Sequence, residues 1–126
     1  MSRYIQCSKF DTAAVLSICR PETHNALSRQ VVDELDEVLE EIASDTAVKV
    51  LVVYSKTDFA AGADIKEMVH CDEAQARQFS FSPTYEKLAE MPIPTIAVME
   101  GYALGGGVEL ALCCDIRIAT ETARIG

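Results

Sequence analysis

From Pro94 to Ile118 the chain reads PTIAVMEGYALGGGVELALCCDIRI: an apolar run, a break at Gly101, three consecutive glycines at 105–107, and residues of helical character. Pro94 can open a strand but not sit inside one, and Thr95, Ile96, Ala97, Val98 and Met99 make a run of strand length, so a buried strand is expected. Val108, Glu109, Leu110, Ala111 and Leu112 favour a helix, apart from β-branched Val108. The first N–H groups of a helix lack internal partners and carry the positive end of its dipole. Without a Cβ in the way, a ligand oxygen can approach them closely. Such a turn suits a bound phosphate or an oxygen that becomes negative in a transition state, and it equally lets two elements pack closely. The spacing fits neither G-x-G-x-x-G nor a glycine followed by Lys and Ser/Thr.

A second small-residue turn follows a second apolar run. Val48, Val50, Leu51, Val52, Val53 and Tyr54 read as a buried strand, and SKTDFAAGADIKEM comes next, with Gly62 between Ala61 and Ala63. One chain thus offers backbone donors on two strand-to-helix turns, and an oxyanion hole needs two N–H groups converging on one oxygen.

AAGADIKEM (60–68), PIPTIAVMEGYALGGGVELALCCDIRIA and the upstream RPETHNALS together resemble the enoyl-CoA hydratase/isomerase family, the crotonase superfamily, over essentially the whole chain. The resemblance implies an α/β fold, the ClpP/crotonase superhelix of ββα units, with residues 1–126 forming the N-terminal part of a single domain that is incomplete at the C-terminus. It places Ala63 and Gly106 on the two positions whose N–H groups hold the thioester carbonyl, and Glu109 on the first of two catalytic glutamates. It assigns substrate binding to His24, Ala26, Leu27, Ala61, Gly62, Asp64, Ile65 and Gly105, with Pro21 lining the same groove. His24 stands where many relatives carry Lys or Arg, which weakens a contact to the coenzyme A phosphates or makes it pH-dependent. The second catalytic glutamate is expected just beyond Gly126, so the chain reads as a truncated protein. The implied activity is hydration of 2-enoyl-CoA thioesters. Another reaction of the family (isomerase, dehydratase or thioester hydrolase) and an inactive fragment are the alternatives. No cofactor is expected, coenzyme A being part of the acyl-CoA substrate, and the family's habit implies a homo-oligomer, a trimer or dimer of trimers.

Composition narrows the remaining classes. A net charge of −9 excludes general nucleic-acid binding, which needs a basic face, and leaves any steering of an anionic ligand to Arg20, Arg29, Lys56 or Lys66. The acidity gathers between Ser28 and Ser44, where Val31, Leu35, Val38 and Ile42 recur at helical spacing and Asp33, Glu34, Asp36, Glu37, Glu40 and Glu41 make an expected solvated face. The five cysteines, at 7, 19, 71, 113 and 114, show neither C-x-x-C nor zinc spacing, and Cys113 and Cys114 read as packing residues. Neither His24 nor His70 falls in a nucleophile–base pattern, and no metal site is expected. MSRYIQCSKF lacks a secretory apolar segment and no run suits a bilayer, so a cytoplasmic protein without membrane contact is expected.

The other expected elements are a hairpin of 4–8 and 13–19 around Phe10, Asp11 and Thr12, a helix from about Asp72 to Met91 interrupted at Pro83, and a last strand over 115–120. Asp64 is expected to cap a short helix over Ile65 to Val69. Phe79 and Phe81 read as core, or as lining of an acyl pocket built around His70 to Phe81.

Overall fold

The computed structural model describes residues 3–69 and 81–126. Strands β1 (Ile5–Phe10) and β2 (Ala13–Ile18) form the expected antiparallel hairpin, Ile5 opposite Ile18 and Phe10 opposite Ala13. The turn is only Asp11 and Thr12, with Asp11 at φ 55°, so Phe10 belongs to the strand and not to the turn. A short 3-10 turn at Pro21–Thr23 leads to α1 (Arg29–Ser44), whose N-cap Ser28 accepts the Val31 N–H through Oγ at 3.2 Å. That cap is worth about 1 kcal/mol.

Strand β3 (Val50–Tyr54), helix α2 (Ile65–Val69), helix α3 (Ser82–Ala89) and strand β4 (Thr95–Met99) follow. Pro83 sits in the first turn of α3, where its missing N–H costs nothing, so it begins that helix instead of interrupting a longer one. The rest of the expected 72–91 helix, with His70, Cys71 and Phe79, lies outside the described residues. The chain continues through β5 (Tyr102–Ala103), α4 (Gly106–Leu112), β6 (Ile116–Ala119) and β7 (Arg124–Ile125).

The main sheet runs β1-β2-β3-β4-β6, parallel from β2 onward, and β5 pairs with β7 in a separate parallel pair. Register puts Leu16, Val53 and Ala97 in one row and Ala14, Leu51 and Thr95 in the next, all on the buried face. The stripe of α1 (Val31, Val32, Leu35, Leu39, Ile42) joins this cluster. Each large side chain taken fully out of water there contributes ~1.5–3 kcal/mol. Asp115 ties the sheet's far end, its Oδ2 accepting the Thr95 N–H at 2.9 Å while its own N–H donates to Thr95 O at 3.0 Å.

The acidic face of α1 is not uniformly solvated. Glu34 is 9% exposed, and its Oε1 accepts the N–H groups of Arg3 and Tyr4, the latter at 2.9 Å. It holds the entry to β1 against the helix. Asp36 also turns inward, to Thr84 Oγ1 (2.9 Å) and Lys87 Nζ (2.7 Å) on α3. Cys113 and Cys114 are both free thiols, and burial pushes Cys114 up to about 11, which suits an inert packing residue. Among the described residues no helix is long and apolar enough to cross a membrane.

Candidate active site

Three loops meet at the C-terminal ends of β3 and β4, and the first is built around Asn25. His24 and Asn25 both take left-handed backbone conformations (φ 55° and 60°). Asn25 is buried, with Oδ1 accepting the Arg20 N–H at 2.6 Å and Nδ2 donating to the Asp58 carbonyl at 2.5 Å. The turn so fixed delivers Leu27 into a parallel bridge with Ala63. Leu27 N–H donates to Gly62 O at 2.7 Å, and Asp64 N–H donates to Leu27 O at 3.0 Å. Because successive peptide groups of extended chain point to opposite sides, the Ala63 N–H faces away from Leu27.

The second and third loops run side by side. Phe59 N–H donates to Glu100 O (2.9 Å), Ala60 N–H to Tyr102 O (3.0 Å) and Leu104 N–H to Ala60 O (3.0 Å). Two glycines make this approach possible. A Cβ on Gly107 would lie 2.2 Å from Ala60 O, and one on Gly62, already at φ 91°, would lie 2.9 Å from Leu104 O and 3.7 Å from Gly106 N. The Gly62 turn and the start of α4 are therefore in direct contact.

The amides of these turns differ in whether they have an acceptor. Leu27, Asp64, Gly105 (to Gly126 O, 2.8 Å) and Gly107 (to Leu104 O, 2.8 Å) all donate to protein carbonyls. Among the described residues, the N–H groups of Ala61, Gly62, Ala63 and Gly106 have no acceptor. Ala63 and Gly106 are the two that the family resemblance puts at the thioester carbonyl.

Tyr85 of α3, which sequence reasoning passed over, closes this wall. Its hydroxyl donates to Gly106 O at 2.6 Å, and a Cβ on Gly106 would meet Tyr85 Oη at 3.1 Å and Leu27 Cδ1 at 3.6 Å. Burial pushes the Tyr85 hydroxyl far above the ordinary tyrosine value, and the charge of nearby Glu109 adds to the effect. Glu109 itself is exposed on α4, three residues beyond Gly106 and so on the same helix face.

The remaining expected groove residues divide by what occupies them. Asp64 caps α2 as expected, its Oδ1 accepting the Glu67 N–H at 3.3 Å, while its Oδ2 lies 2.9 Å from Arg20 Nη1. Burial pushes the Asp64 carboxyl up, but Arg20 and the helix amides outweigh it and hold the group below the usual carboxylate range. Arg20, expected to steer an anionic ligand, is thus turned inward onto Asp64. His24 remains largely exposed, yet its Nδ1 lies 2.9 Å from Asp58 Oδ2, and Asp58 Oδ1 accepts the Tyr102 N–H at 2.9 Å. The ring of His24 meets Tyr102 edge-on at 5.3 Å. Ala26 is buried, Ala61 half-buried, and Gly105 and Ile65 exposed. Phe81 is half-buried against the core, its ring 6.1 Å from that of Tyr85. A separate pocket of about 260 Å³ opens beside Cys19, Asn25, Tyr54 and Lys56; of the expected groove residues it contains only Pro21.

Asn25, Asp58 and Tyr85 left weak signals in the sequence. Asn25 sits in a stretch with turn chemistry and carries a side chain that tolerates left-handed backbone. Asp58 and Tyr85 act on residues 44 and 21 positions away, and no local pattern marks such partners.

The chain resembles enoyl-CoA hydratases throughout. The enoyl-CoA hydratase/isomerase family model matches residues 9–126. The short-chain-enoyl-CoA hydratase of Clostridium acetobutylicum is 39% identical over 117 residues, covering 90% of this chain and 45% of that protein. The crotonyl-CoA hydratase of Syntrophomonas wolfei is 38% identical over 122 residues, covering 94% and 47%. The crystal structure of the enoyl-CoA hydratase from Bacillus anthracis superposes with a TM-score of 0.95 at 35% identity, over 98% of this chain and 50% of that one. The chain spans about half the length of the relatives it matches, and the fold is the crotonase fold over that half. By sequence and by fold together, this chain belongs to the enoyl-CoA hydratase/isomerase family.

Proposed function

We propose that Ala63 and Gly106 form an oxyanion hole for an acyl-CoA thioester and that Glu109 is the general base in hydration of a 2-enoyl thioester. The observation that carries this reading is that two abutting turns each hold an acceptor-free amide at the position the family resemblance points to, Ala63 on one and Gly106 on the other. An amide held in that state by the fold costs no reorganisation when an oxygen beside it becomes negative.

Water adds to the β-carbon as Glu109 takes its proton, and the electron pair of the double bond moves to the carbonyl oxygen, giving an enolate between the two amides. Protonation of the α-carbon returns the carbonyl and completes the 3-hydroxyacyl thioester. Donors of this kind are worth roughly 3 kcal/mol each in other systems, and a positioned base about 10²–10⁴-fold. Asp64 takes no part, since its carboxylate is committed to Arg20 and α2. The reading therefore gives the α-carbon's proton to Glu109 or to a group outside the described residues.

The test is hydration of crotonyl-CoA, followed as loss of the enoyl thioester absorbance, with Glu109→Gln as the variant. A fall of about 10² or more in kcat is expected. Activity near the parent's removes Glu109 from the mechanism. Double-bond migration, or free coenzyme A, in place of the hydrated product moves the assignment to an isomerase or a thioester hydrolase using the same hole.

A further inference from the structure

In a trans peptide the carbonyl and the N–H that follows it lie on opposite sides of one plane, so whatever holds the carbonyl also aims the N–H. The Ala63 N–H shares its plane with the Gly62 carbonyl, and Leu27 N–H donates to that carbonyl at 2.7 Å. Gly62 sits at φ 91°, where glycine's freedom leaves the plane to be set by such a bond. The Leu27 N–H in turn shares its plane with the Ala26 carbonyl, to which Arg20 Nη1 donates at 3.4 Å. The same nitrogen meets Asp64 Oδ2 at 2.9 Å. Ala26 precedes Leu27 and Asp64 follows Ala63, so one guanidinium nitrogen touches both strands of the Leu27–Ala63 bridge.

We propose that Arg20 is a positioning residue of the thioester site: its guanidinium ties the Ala26–Leu27 peptide group to Asp64 and, through the Leu27–Gly62 hydrogen bond, sets the direction in which the Ala63 N–H is presented to the substrate oxygen. This rests on the reading given under Proposed function. Arg20 is itself held. Its N–H donates to Asn25 Oδ1 at 2.6 Å, its carbonyl accepts the Asn25 N–H at 2.9 Å, and its guanidinium lies 5.3 Å from the centre of the Tyr4 ring. Its side chain is 16% exposed. From Nη1 through Ala26 O, Leu27 N–H and Gly62 O to Ala63 N–H runs a chain of linked dipoles that begins at a fixed cation, and hydrogen bonds in such chains strengthen one another. Gly106 has its counterpart inside α4, where the Gly105 carbonyl, in the same plane as the Gly106 N–H, accepts the Glu109 N–H at 3.1 Å. A cation serving only to neutralise Asp64 can do so without a contact to the Ala26 carbonyl.

The variant is Arg20→Lys, which keeps the charge and a partner for Asp64 but ends one bond short of Nη1 and lacks the planar fork. Two readouts are taken on the same protein. The first is the ¹³C shift of the Gly62 carbonyl and the ¹⁵N shift of the Ala63 amide, the two ends of one peptide group, expected to move while those of the Gly105 carbonyl and Gly106 amide stay in place. The second is the split between kcat and KM for crotonyl-CoA. Removing an oxyanion donor outright costs about 10²–10³ in kcat and misdirecting one costs less, so a fall of about ten-fold is expected, with KM changing less than two-fold. Unmoved Gly62 and Ala63 shifts overturn the inference whether or not the chain is active, since neutralising Asp64 would then account for Arg20. Unchanged kcat in an active chain also overturns it, whatever KM does, because the direction of the amide would then not matter to the reaction. If the parent leaves crotonyl-CoA unhydrated while the shifts respond, the proposed function fails and the hold of Arg20 on the Gly62–Ala63 plane stands. Should Arg20→Lys fail to fold, the parent's own guanidinium decides: separate ¹⁵N signals from its two Nη groups support the tie, and one averaged signal refutes it.

Discussion

Gly107→Ala puts a single methyl group between the two turns. The added Cβ would lie 2.2 Å from Ala60 O and 3.0 Å from Ala60 Cβ, against 3.4 Å or more for ordinary contact, so the start of α4 must withdraw by roughly 1 Å. Neither obstacle is a flexible side chain, since Ala60 is fully buried and its carbonyl already accepts the Leu104 N–H. Forced overpacking of this kind costs about 1–3 kcal/mol. Alanine's better helix propensity returns up to about 1 kcal/mol, and less than that in a first turn. A net loss of ~2 kcal/mol lowers the melting temperature by about 5–10 °C in a chain of this size. A 1 Å misplacement of positioned groups can cost about 10² in rate. Gly106→Ala is the comparison, because its Cβ would meet only the Tyr85 hydroxyl (3.1 Å) and a Leu27 methyl (3.6 Å), both of which can give way. Urea unfolding followed by circular dichroism, with hydration assays on the same preparations, should rank Gly107→Ala as clearly the less stable. Equal stability, or the reverse order, refutes the claim that Ala60 and Gly107 set the spacing.

Acid should reveal the Arg20–Asp64 pair. A carboxyl held below its unfolded value of ~3.9 adds stability above that value, and the contribution disappears as pH falls through the lower folded value. Asp64→Asn should therefore flatten the decline of the urea midpoint below about pH 4, and an unchanged slope would remove Asp64 as its source. Glu34→Ala strands the Arg3 and Tyr4 N–H groups and should cost ~1–3 kcal/mol, with faster hydrogen exchange at those two amides as its signature. Glu34→Gln keeps one acceptor oxygen and should lose less.

The hairpin, α1, the strands at 50–54 and 95–99 and the α2 cap at Asp64 were all legible, because each is written in local periodicity or in a residue beside the element it ends. The two small-residue turns were legible for a related reason, while the choice of Ala63 and Gly106 within them came from the family resemblance. What escaped depends on partners distant in sequence. Strands β5 and β7 have two residues each, too few to carry an alternation, and exist only because Tyr102 and Ala103 find Arg124 and Ile125. Glu34 looked like one more acid on a charged face until the N-terminal backbone, 30 residues away, folded over it. Tyr85 went unremarked, and His24 read as a groove residue, because nothing near either one names Gly106 or Asp58 as its partner.

Arg20 and Asp64 neutralise each other beside the loop that leads to Ala63, so among the described residues that cation is withdrawn from the spot between the two turns, which the backbone dipoles of those turns border. Dipolar attraction fades within a few ångströms, and a chain of net charge −9 repels preformed anions at longer range. Such a surface gathers little negative charge out of bulk solvent. It favours a neutral group that arrives first and polarises afterwards, and added salt, which screens ionic partners, would leave that preference nearly untouched.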